Sequence, residues 1–180
     1  MRIISGSHKG KRLTAPKNLP VRPTTDFAKE ALFNILNNRF YFPETSILDL
    51  FAGTGNIGFE FCSRGSEKVT SVDAHYGCVG YIEKIAEELE FPITTVKADV
   101  LKYIHNSNEK FDIIFADPPY NFELDELSEL VAKIMDKDML KDDGLLIVEH
   151  TKHHDLSEFP NFEEARKYGG SVFSFFSWRA

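Results

Sequence analysis

Hydrophobic positions along the chain fall into short runs that are separated by amphipathic stretches. The runs have the length of buried strands and lie at Ile47–Phe51, Lys68–Asp73, Ile93–Lys97, Phe111–Ala116 and Leu145–Glu149. The stretches between them have helical spacing and lie at Asn56–Ser63, Tyr76–Leu89, Val100–His105 and Leu124–Met135. Because strands that alternate with helices form a parallel sheet through right-handed crossovers, the pattern predicts an α/β, doubly wound fold.

The chain before residue 46 has a different pattern. Arg2–Ser5 and Lys11–Thr14 flank a glycine-containing turn, which predicts a small β-hairpin. Prolines then form an extended connector. After the connector, three polar residues offer N-cap oxygens to a helix with one apolar face. The capping candidates are Thr24, Thr25 and Asp26, and the apolar face contains Ala28, Ala31, Leu32, Ile35 and Leu36.

The end of the chain predicts a second hairpin. Phe162–Tyr168 and Val172–Trp178 flank Gly169-Gly170 and are expected to pair antiparallel. Aromatic residues alternate along the last strand, at Phe173, Phe175, Phe176 and Trp178. This alternation favours a strand packed on the core over a surface on which bases stack.

Length and composition fit one domain. The 180 residues are 42% hydrophobic and 27% charged, as in ordinary globular proteins. We expect a single domain over residues 1–180, in which 1–45 form a basic hairpin-and-helix extension and 46–180 form the core of alternating strands and helices. There is no long apolar stretch or signal peptide, and Cys62 and Cys78 lack metal-ligand spacing. The sequence therefore predicts a cytoplasmic protein with free thiols, no membrane contact and no metal site.

Basic residues are concentrated near the beginning of the chain. Residues 1–39 contain eight basic and two acidic side chains, a net charge of +6, whereas the other 141 residues carry −13. Binding to a polyanion depends on local clustering of charge, so this distribution favours phosphate contact over a merely solubilising arm. The candidates for phosphate contact are Lys9, Lys11, Arg12, Lys17 and Arg22.

A glycine-rich turn joins the first apolar run to the helix after it. Gly53 and Gly55 let the backbone turn tightly beside a ligand, and Gly58 permits close helix–strand packing. Asp73 ends the second strand, 20 residues beyond Gly53, where a carboxylate can accept both hydroxyls of an adenosine ribose. Asp99 ends the third strand, where it can accept from an adenine amino group, cap the next helix, or do both.

The tetrapeptide Asp117-Pro118-Pro119-Tyr120 ends the fourth strand. Its prolines stop the strand and remove two backbone N–H donors, which leaves carbonyl oxygens as free acceptors. The Asp117 carboxylate and the Pro118 carbonyl can each accept one hydrogen of a planar NH2 group, while the Tyr120 ring stacks on its plane. An Asp-Pro turn with a packed tyrosine is the alternative on local evidence.

Two cofactors fit a strand–turn–helix of this kind. A dinucleotide places its pyrophosphate at the helix N-terminus, whereas S-adenosylmethionine has no phosphate and needs only close approach. Asp49 lies inside the first strand, where a carboxylate suits a cationic aminoacyl group and gains nothing from a pyrophosphate. A motif that holds an NH2 group also has no evident task in hydride transfer. Both features favour methyl transfer to an amine.

Three motifs occur in order along the chain. They are Arg22–Asp26 with Glu30–Asn34, Leu48–Gly58, and Asp117–Tyr120. Together they resemble the RsmD family of bacterial 16S rRNA guanine-N2 methyltransferases, and Arg2–Gly6, Gly10–Leu13 and Arg166–Gly169 are similar to that family as well. Asp-Pro-Pro-Tyr is shared by many amino methyltransferases, so the Arg-Pro-Thr-Thr-Asp block is the specific part. One position departs from the family: Phe27 stands where an arginine is usual, and Lys29 is a candidate to supply the missing contact.

The resemblance implies a Rossmann-like class I methyltransferase. Its sheet would have seven mainly parallel strands with a C-terminal antiparallel hairpin, preceded by the N-terminal hairpin and helix. It implies S-adenosylmethionine as cofactor and a monomer that methylates a specific guanine (position 966 type) of 16S rRNA in an assembled or assembling small subunit. The implied catalytic residues are Asp117, Pro118, Pro119 and Tyr120. The implied cofactor contacts are Asp49, Phe51, Gly53, Gly55, Asp73, Asp99 and Val100. Thr24, Thr25 and Asp26 join the five basic candidates as RNA contacts.

Three other activities stay open from the sequence. One is an amino methyltransferase that acts on adenine or cytosine of DNA or on a protein amide, although such enzymes often carry asparagine where this chain has Asp117. The others are a dinucleotide-dependent oxidoreductase and a non-catalytic RNA-binding assembly factor that retains the cofactor fold.

Overall fold

The computed structural model describes residues 1–179, within which the chain forms five α-helices and seven β-strands. The helices are α1 Asp26–Asn37, α2 Asn56–Ser63, α3 Tyr76–Leu89, α4 Val100–Asn106 and α5 Leu124–Asp136. The strands are β1 Ser46–Leu50, β2 Lys68–Asp73, β3 Ile93–Lys97, β4 Phe111–Ala116, β5 Leu140–Thr151, β6 Phe162–Tyr168 and β7 Ser171–Phe176. A short 3₁₀ helix, Phe42–Glu44, leads into β1.

All seven strands belong to one sheet, in the order β3-β2-β1-β4-β5-β7-β6. The first five strands along the chain are mutually parallel, and β7 and β6 add an antiparallel hairpin beyond β5. The predicted doubly wound fold with a terminal hairpin is confirmed. We call the edge at which β1 to β5 end the carboxyl edge, and the opposite edge the amino edge.

The predicted boundaries differ from the structure mainly at β5 and at the N-terminal hairpin. β5 begins at Leu140, five residues before the apolar run, because Leu140 pairs with Phe111. A register shift follows this pair, and the polar residues 141–143 of β5 are exposed. The N-terminal hairpin is reduced to one antiparallel bridge between Arg2 and Arg12. It is held by backbone bonds such as the one from the Ile3 N–H to the Lys11 carbonyl, 2.9 Å long.

Apolar side chains cover both faces of the sheet. On one face, α1, α2 and α3 pack in a cluster that includes Leu32, Phe33 and Phe115. On the other face, α4 and α5 pack in a second cluster around Ile114 and Leu130. The aromatic residues of β7 are buried, so the prediction of a packed final strand is confirmed. The N-terminal helix α1 is therefore part of the layer that covers the sheet.

The two cysteines are thiols, as the sequence predicts. Cys62 and Cys78 are free and buried. Burial raises the pKa of the Cys62 thiol to about 12 and that of Cys78 to about 11. Within residues 1–179, no helix combines the length and the apolar character that crossing a membrane requires.

Candidate active site

The glycine turn and the Asp117–Tyr120 tetrapeptide lie side by side at the carboxyl edge. β1 and β4 are neighbouring parallel strands, so the segments that follow them leave the sheet together. The Asp117 N–H donates to the Leu50 carbonyl across a distance of 3.3 Å. A methyl-donor site and an amine-binding site at these positions would share one cleft, as ligand sites of open α/β sheets do.

Phe51 connects the two segments. Its φ of 57° lies in the left-handed region, which costs a non-glycine residue about 1–2 kcal/mol. Its ring packs edge-to-face on Phe122, with centroids 5.7 Å apart. Phe51, expected to touch the cofactor, thus also holds the glycine turn against the loop that follows the tetrapeptide.

The glycine turn is fixed to the end of β2. The Gly53 N–H donates to Oδ2 of Asp73 at 2.9 Å, and the His75 N–H donates to Oδ1 at 2.8 Å. Gly55 has a φ of 83°, and a Cβ there would lie 2.9 Å from Ile82, so only glycine fits without strain. Asp73 stays half-exposed and keeps acceptor capacity for ligand hydroxyls.

Asp49 is a buried carboxylate that lacks a full set of partners. Its exposed fraction is 2%, and its Oδ2 has no hydrogen-bond partner among the described residues. Burial raises the pKa of Asp49 to about 8; the Gly58 N–H opposes this rise, and the charge of Asp73 adds to it. The nearby Ser71 hydroxyl is also buried and has no hydrogen-bond partner in the part of the chain that the structure describes. A Cβ on Gly58 would approach that hydroxyl to 3.2 Å, which is why a glycine packs here.

These observations test the fit of the implied cofactor. A buried, unpaired carboxylate is unfavourable alone and is stabilised by a cation. Asp49 would pair with the cationic aminoacyl end of S-adenosylmethionine, and Asp73 would accept hydrogen bonds from the ribose hydroxyls. Carboxylates at both places would repel a pyrophosphate, so the donor set fits S-adenosylmethionine better than a dinucleotide.

The end of β3 supplies the remaining cofactor candidates. Oδ1 of Asp99 accepts from the Lys102 N–H at 3.1 Å, so Asp99 is the N-cap of α4. Its side chain is exposed, which leaves the other oxygen accessible to a ligand. The Val100 side chain is buried in the core, and only its backbone is available to the cleft.

The tetrapeptide itself presents acceptors and an exposed ring. Burial raises the pKa of Asp117 well above its usual range, and the charges of Glu149 and Asp49 raise it further. No N–H or O–H of residues 1–179 donates to the Pro118 carbonyl, whereas the Pro119 carbonyl accepts from the Phe122 N–H at 2.9 Å.

Tyr120 is 88% exposed. The alternative of a turn with a packed tyrosine is therefore wrong, and the ring is accessible to a ligand.

Glu149 is a site residue that the sequence reasoning missed. It lies on β5 next to Asp117, is buried, and accepts a 2.6 Å hydrogen bond from the Thr24 hydroxyl. Burial raises the pKa of Glu149, although the hydrogen bonds from Thr24 and Ser171 oppose the rise. Its position directly after the apolar run Leu145–Val148 is the sequence signal that could have indicated Glu149.

The Arg-Pro-Thr-Thr-Asp block has structural contacts of its own. Thr24 is buried, the Thr25 hydroxyl caps α1 by accepting from the Ala28 N–H at 3.2 Å, and Asp26 pairs with Arg2 at 3.3 Å. In this structure Thr24 faces the protein interior, where its hydroxyl donates a hydrogen bond to Glu149.

Lys29 does not point outward to replace an arginine. It is fully buried, and its Nζ donates to Oδ1 of Asn56 at 2.7 Å and pairs with Oε1 of Glu60 at 3.3 Å. The expectation that Lys29 supplies the missing contact is wrong, because packing of α1 on α2 encloses its ammonium group. Asn56 in turn donates to the Thr24 carbonyl at 3.0 Å, so a buried polar network extends from α2 to Glu149.

The five basic candidates do not form one patch. Lys9 lies in a loop whose Ser7 N–H donates to the carbonyl of Ser63, the last residue of α2, and is therefore close to the amino edge. Arg22 precedes Thr24 and lies at the carboxyl edge. Lys11, Arg12 and Lys17 lie between these two along the N-terminal segment.

Two shallow surface cavities lie outside this site. One of about 340 Å³ lies around Arg39 and Asp143, and one of about 240 Å³ lies around Lys133 and Lys137.

The fold and the site define a class I methyltransferase. The sheet order, the glycine turn with its carboxylates, and the Asp-Pro-Pro-Tyr segment on the neighbouring strand together carry this assignment. The chain belongs to the RsmD family: the family model described as "Conserved hypothetical protein 95" matches residues 1–177.

Named relatives agree with this membership. The chain is 36% identical to "Putative rRNA methyltransferase YlbH" of Bacillus subtilis, over 88% of this chain and 86% of the relative. It is 33% identical to "Ribosomal RNA small subunit methyltransferase D" of Haemophilus influenzae, over 87% of this chain and 81% of the relative. A solved structure, "Putative methyltransferase yhhF" from Escherichia coli, superposes with a TM-score of 0.84 at 28% identity, covering 98% of this chain and 96% of that one.

Proposed function

We propose that this protein transfers a methyl group from S-adenosylmethionine to the exocyclic N2 of one guanine in 16S rRNA of the small ribosomal subunit. The names of the relatives support an rRNA of the small subunit as substrate. The choice of guanine N2 as the methyl acceptor is supported by the Asp117–Tyr120 tetrapeptide.

The observation that carries the proposal is the pair of free acceptors at the end of β4. The Asp117 carboxylate and the Pro118 carbonyl, which receives no hydrogen bond within residues 1–179, are suited to the two hydrogens of an exocyclic amine. The exposed Tyr120 ring beside them is suited to the plane of the base. A guanine in a duplex cannot reach this position, so the target must be unpaired or flipped out.

In the proposed reaction, S-adenosylmethionine would supply an electrophilic methyl group and leave as S-adenosylhomocysteine, because its S–CH3 bond breaks as the N2–CH3 bond forms. The lone pair of guanine N2 is delocalised into the ring, so N2 is a weak nucleophile. Asp117 and Pro118, by accepting its two hydrogens, favour a more pyramidal nitrogen and direct its lone pair toward the cofactor side of the cleft. Tyr120 holds the base in line. Positioning by these three residues accounts for much of the proposed rate enhancement.

Asp117 is also placed to take the proton that N2 loses. Once methylated, N2 carries positive charge and is acidic, so a strong base is not needed. The raised pKa of Asp117 brings its carboxylate closer to the operating pH, where a proton acceptor is most effective. Glu149 contributes by keeping that pKa high.

We include in this proposal a single domain over residues 1–180 that acts as a monomer. Support for one domain comes from α1, whose Leu32 and Phe33 share a hydrophobic cluster with Ile47 of β1 and Phe115 of β4. The 1–45 extension would then position the N-terminal segment beside the cleft.

The deciding experiment maps methyl groups on small-subunit rRNA by mass spectrometry, with and without this protein. We expect one guanine to lose its N2-methyl group in the absence of the protein. In a purified assay, Asp117→Ala should lower methyl transfer about 10²- to 10⁴-fold while S-adenosylmethionine and rRNA still bind. Asp136→Ala is the control: it removes the exposed carboxylate of the last residue of α5 and should leave transfer unchanged.

Each alternative gives a different result. An unchanged methylation map would reject the proposed reaction. A methyl group on an adenine or a cytosine would identify another amino methyltransferase. Stabilisation by NAD and not by S-adenosylmethionine would indicate an oxidoreductase. Full function of Asp117→Ala in ribosome assembly would indicate a non-catalytic assembly factor.

A further inference from the structure

An exposed phenylalanine ring packs on a half-buried tyrosine near the proposed cleft. Phe27, the second residue of α1, is 68% exposed, and its ring contacts that of Tyr168 edge-to-face with centroids 6.0 Å apart. A large apolar ring exposed to this extent gains little from the protein core. Exposed apolar surface at a functional edge commonly marks a contact with another molecule.

Both rings belong to the carboxyl edge. Phe27 follows Thr24 by three residues, and Thr24 is bonded to the buried Glu149. Tyr168 is the last residue of β6, which runs toward the carboxyl edge because it is antiparallel to β7. The Phe27–Tyr168 pair is therefore on the same side of the sheet as Asp117.

The pair cannot hold the reacting base itself. Tyr168 ends a strand three places from β4 in the sheet order, and neighbouring strands are about 4.8 Å apart, so the two strand ends are separated by about 14 Å. The base that Asp117 and Tyr120 hold is thus at a different position from any base on the Phe27–Tyr168 pair.

The surroundings of the pair favour a polyanion that carries rings. Of the six basic side chains of residues 1–25, Arg22 lies at the carboxyl edge with the pair, and Arg2 pairs with Asp26, the residue before Phe27. Arg2 is close enough to offset the charge of Asp26, and Arg22 makes no ion pair within residues 1–179. A phenyl ring has no group that binds phosphate, but it stacks on any nucleobase.

We propose that the Phe27–Tyr168 pair is a second base-binding surface, on which an unpaired base near the target guanine stacks. This inference rests on the proposed rRNA substrate and adds a second nucleotide to it. The stacked base would anchor the RNA chain on the β6 side of the cleft while the target base enters between Asp117 and Tyr120. RNA-binding proteins commonly hold single-stranded nucleotides in this way.

The test measures binding of small-subunit particles by filter retention, together with kcat for methyl transfer and binding of S-adenosylmethionine. Phe27→Ala should weaken particle binding about 5- to 160-fold, the loss expected for one base stack, without changing kcat or cofactor binding. The salt dependence of particle binding by Phe27→Ala should match that of the wild type, because no phosphate contact is lost.

Conservative variants separate stacking from simple packing. Phe27→Trp should bind as well as the wild type, because it keeps an aromatic face. Phe27→Leu should resemble Phe27→Ala, because a leucine is apolar but does not stack. Tyr168→Ala should weaken binding, and combining it with Phe27→Ala should add little, since one platform is lost in both cases.

A matched control is available at the opposite edge. Tyr41 is 67% exposed, precedes β1 and lies at the amino edge. Tyr41→Ala should therefore leave particle binding unchanged, although it removes a ring of equal exposure.

The outcomes distinguish this inference from the proposed function. Unchanged binding by Phe27→Ala, or full binding by Phe27→Leu, would overturn the second base-binding surface while the enzyme stays active. A wild-type protein that binds particles but transfers no methyl group would reject the proposed function, and the binding series would still decide the role of the pair. A wild-type protein that does not bind particles would reject both.

Discussion

The hydroxyl of Thr24 donates a 2.6 Å hydrogen bond to Oε2 of Glu149, a residue 125 positions later in the chain. Both side chains are buried, and Glu149 lies beside Asp117 at the carboxyl edge. The block that precedes α1 is therefore attached directly to the strand end where the proposed chemistry takes place.

Replacing the Thr24 hydroxyl should destabilise the protein in a pH-dependent way. The bond favours the charged form of Glu149 and so lowers its folded-state pKa relative to a variant that lacks the bond. Its stabilisation is then present at high pH and is lost as the pH falls through that pKa. We expect Thr24→Val to cost about 1.5 kcal/mol in the free energy of unfolding at pH 8, and less at pH 5.

Denaturant unfolding at the two pH values measures this effect. Thr94→Val, at an exposed position of β3, is the control and should show no such pH dependence. Equal losses for Thr24→Val at both pH values would mean that the hydroxyl does not bond a titrating carboxylate.

Removing the Lys29 ammonium should destabilise the protein strongly. Glu60 is fully buried and, among residues 1–179, would keep only Arg64 and two backbone N–H groups as partners. Breaking one side of a buried ion pair costs about 3–5 kcal/mol, so we expect a loss of that size for Lys29→Met in thermal or denaturant unfolding.

Two comparisons test the cause of that loss. Lys133→Met removes an exposed pair with Glu129 and should cost less than about 1 kcal/mol. Adding Glu60→Gln to Lys29→Met should recover part of the loss, because the buried charge disappears. If Lys29→Met were no more destabilising than Lys133→Met, the buried pair would not be a stabilising element.

The pH profile of methyl transfer should report Asp117. Transfer requires its carboxylate in the deprotonated form, and the pKa of Asp117 is raised by burial and by Glu149 and Asp49. Activity should therefore decline with falling pH well above the ordinary range of an aspartate, which is about 4.

A charge-neutral variant of Glu149 moves this profile in a known direction. Glu149→Gln removes a negative neighbour, which makes Asp117 easier to ionise, so the acid limb should shift to lower pH. Glu87→Gln, on the exposed face of α3, should leave the profile in place. A shift to higher pH for Glu149→Gln would contradict the assignment of the acid limb to Asp117.

Asp49→Asn should stabilise the ligand-free protein while weakening cofactor binding. The folded-state pKa of Asp49 is about 8, above that of an unfolded aspartate near 3.8. Between these values the folded state holds a proton that the unfolded state has lost, so the contribution of Asp49 to stability falls as the pH rises. The asparagine variant does not titrate and should gain on the wild type from pH 5 to pH 8.

Unfolding curves at pH 5 and pH 8, and calorimetric titration with S-adenosylmethionine, check both parts. Asp142→Asn, an exposed residue of β5, serves as the control. A stability difference that is the same at both pH values, or unaltered cofactor affinity, would show that Asp49 is not the buried carboxylate of the donor site.

The sequence alone determined the fold and the family to which the chain belongs. Periodicity in apolar residues is a local property, and it located the strands at or just beyond whose ends Asp73, Asp99 and Asp117 lie. Since parallel strands end at a common edge, strand-end residues could be grouped without coordinates. The family motifs are local as well, so they could be read from the chain.

Only the tertiary structure decided which polar groups face inward. Lys29 is as polar as Arg22 in the sequence, yet the packing of α1 on α2 buries the first and leaves the second exposed. The partnership of Thr24 with Glu149 depends on segments that are far apart in the chain, and so does the contact of Phe27 with Tyr168. Burial and long-range pairing result from how distant elements pack together, and no local pattern of residues contains that information.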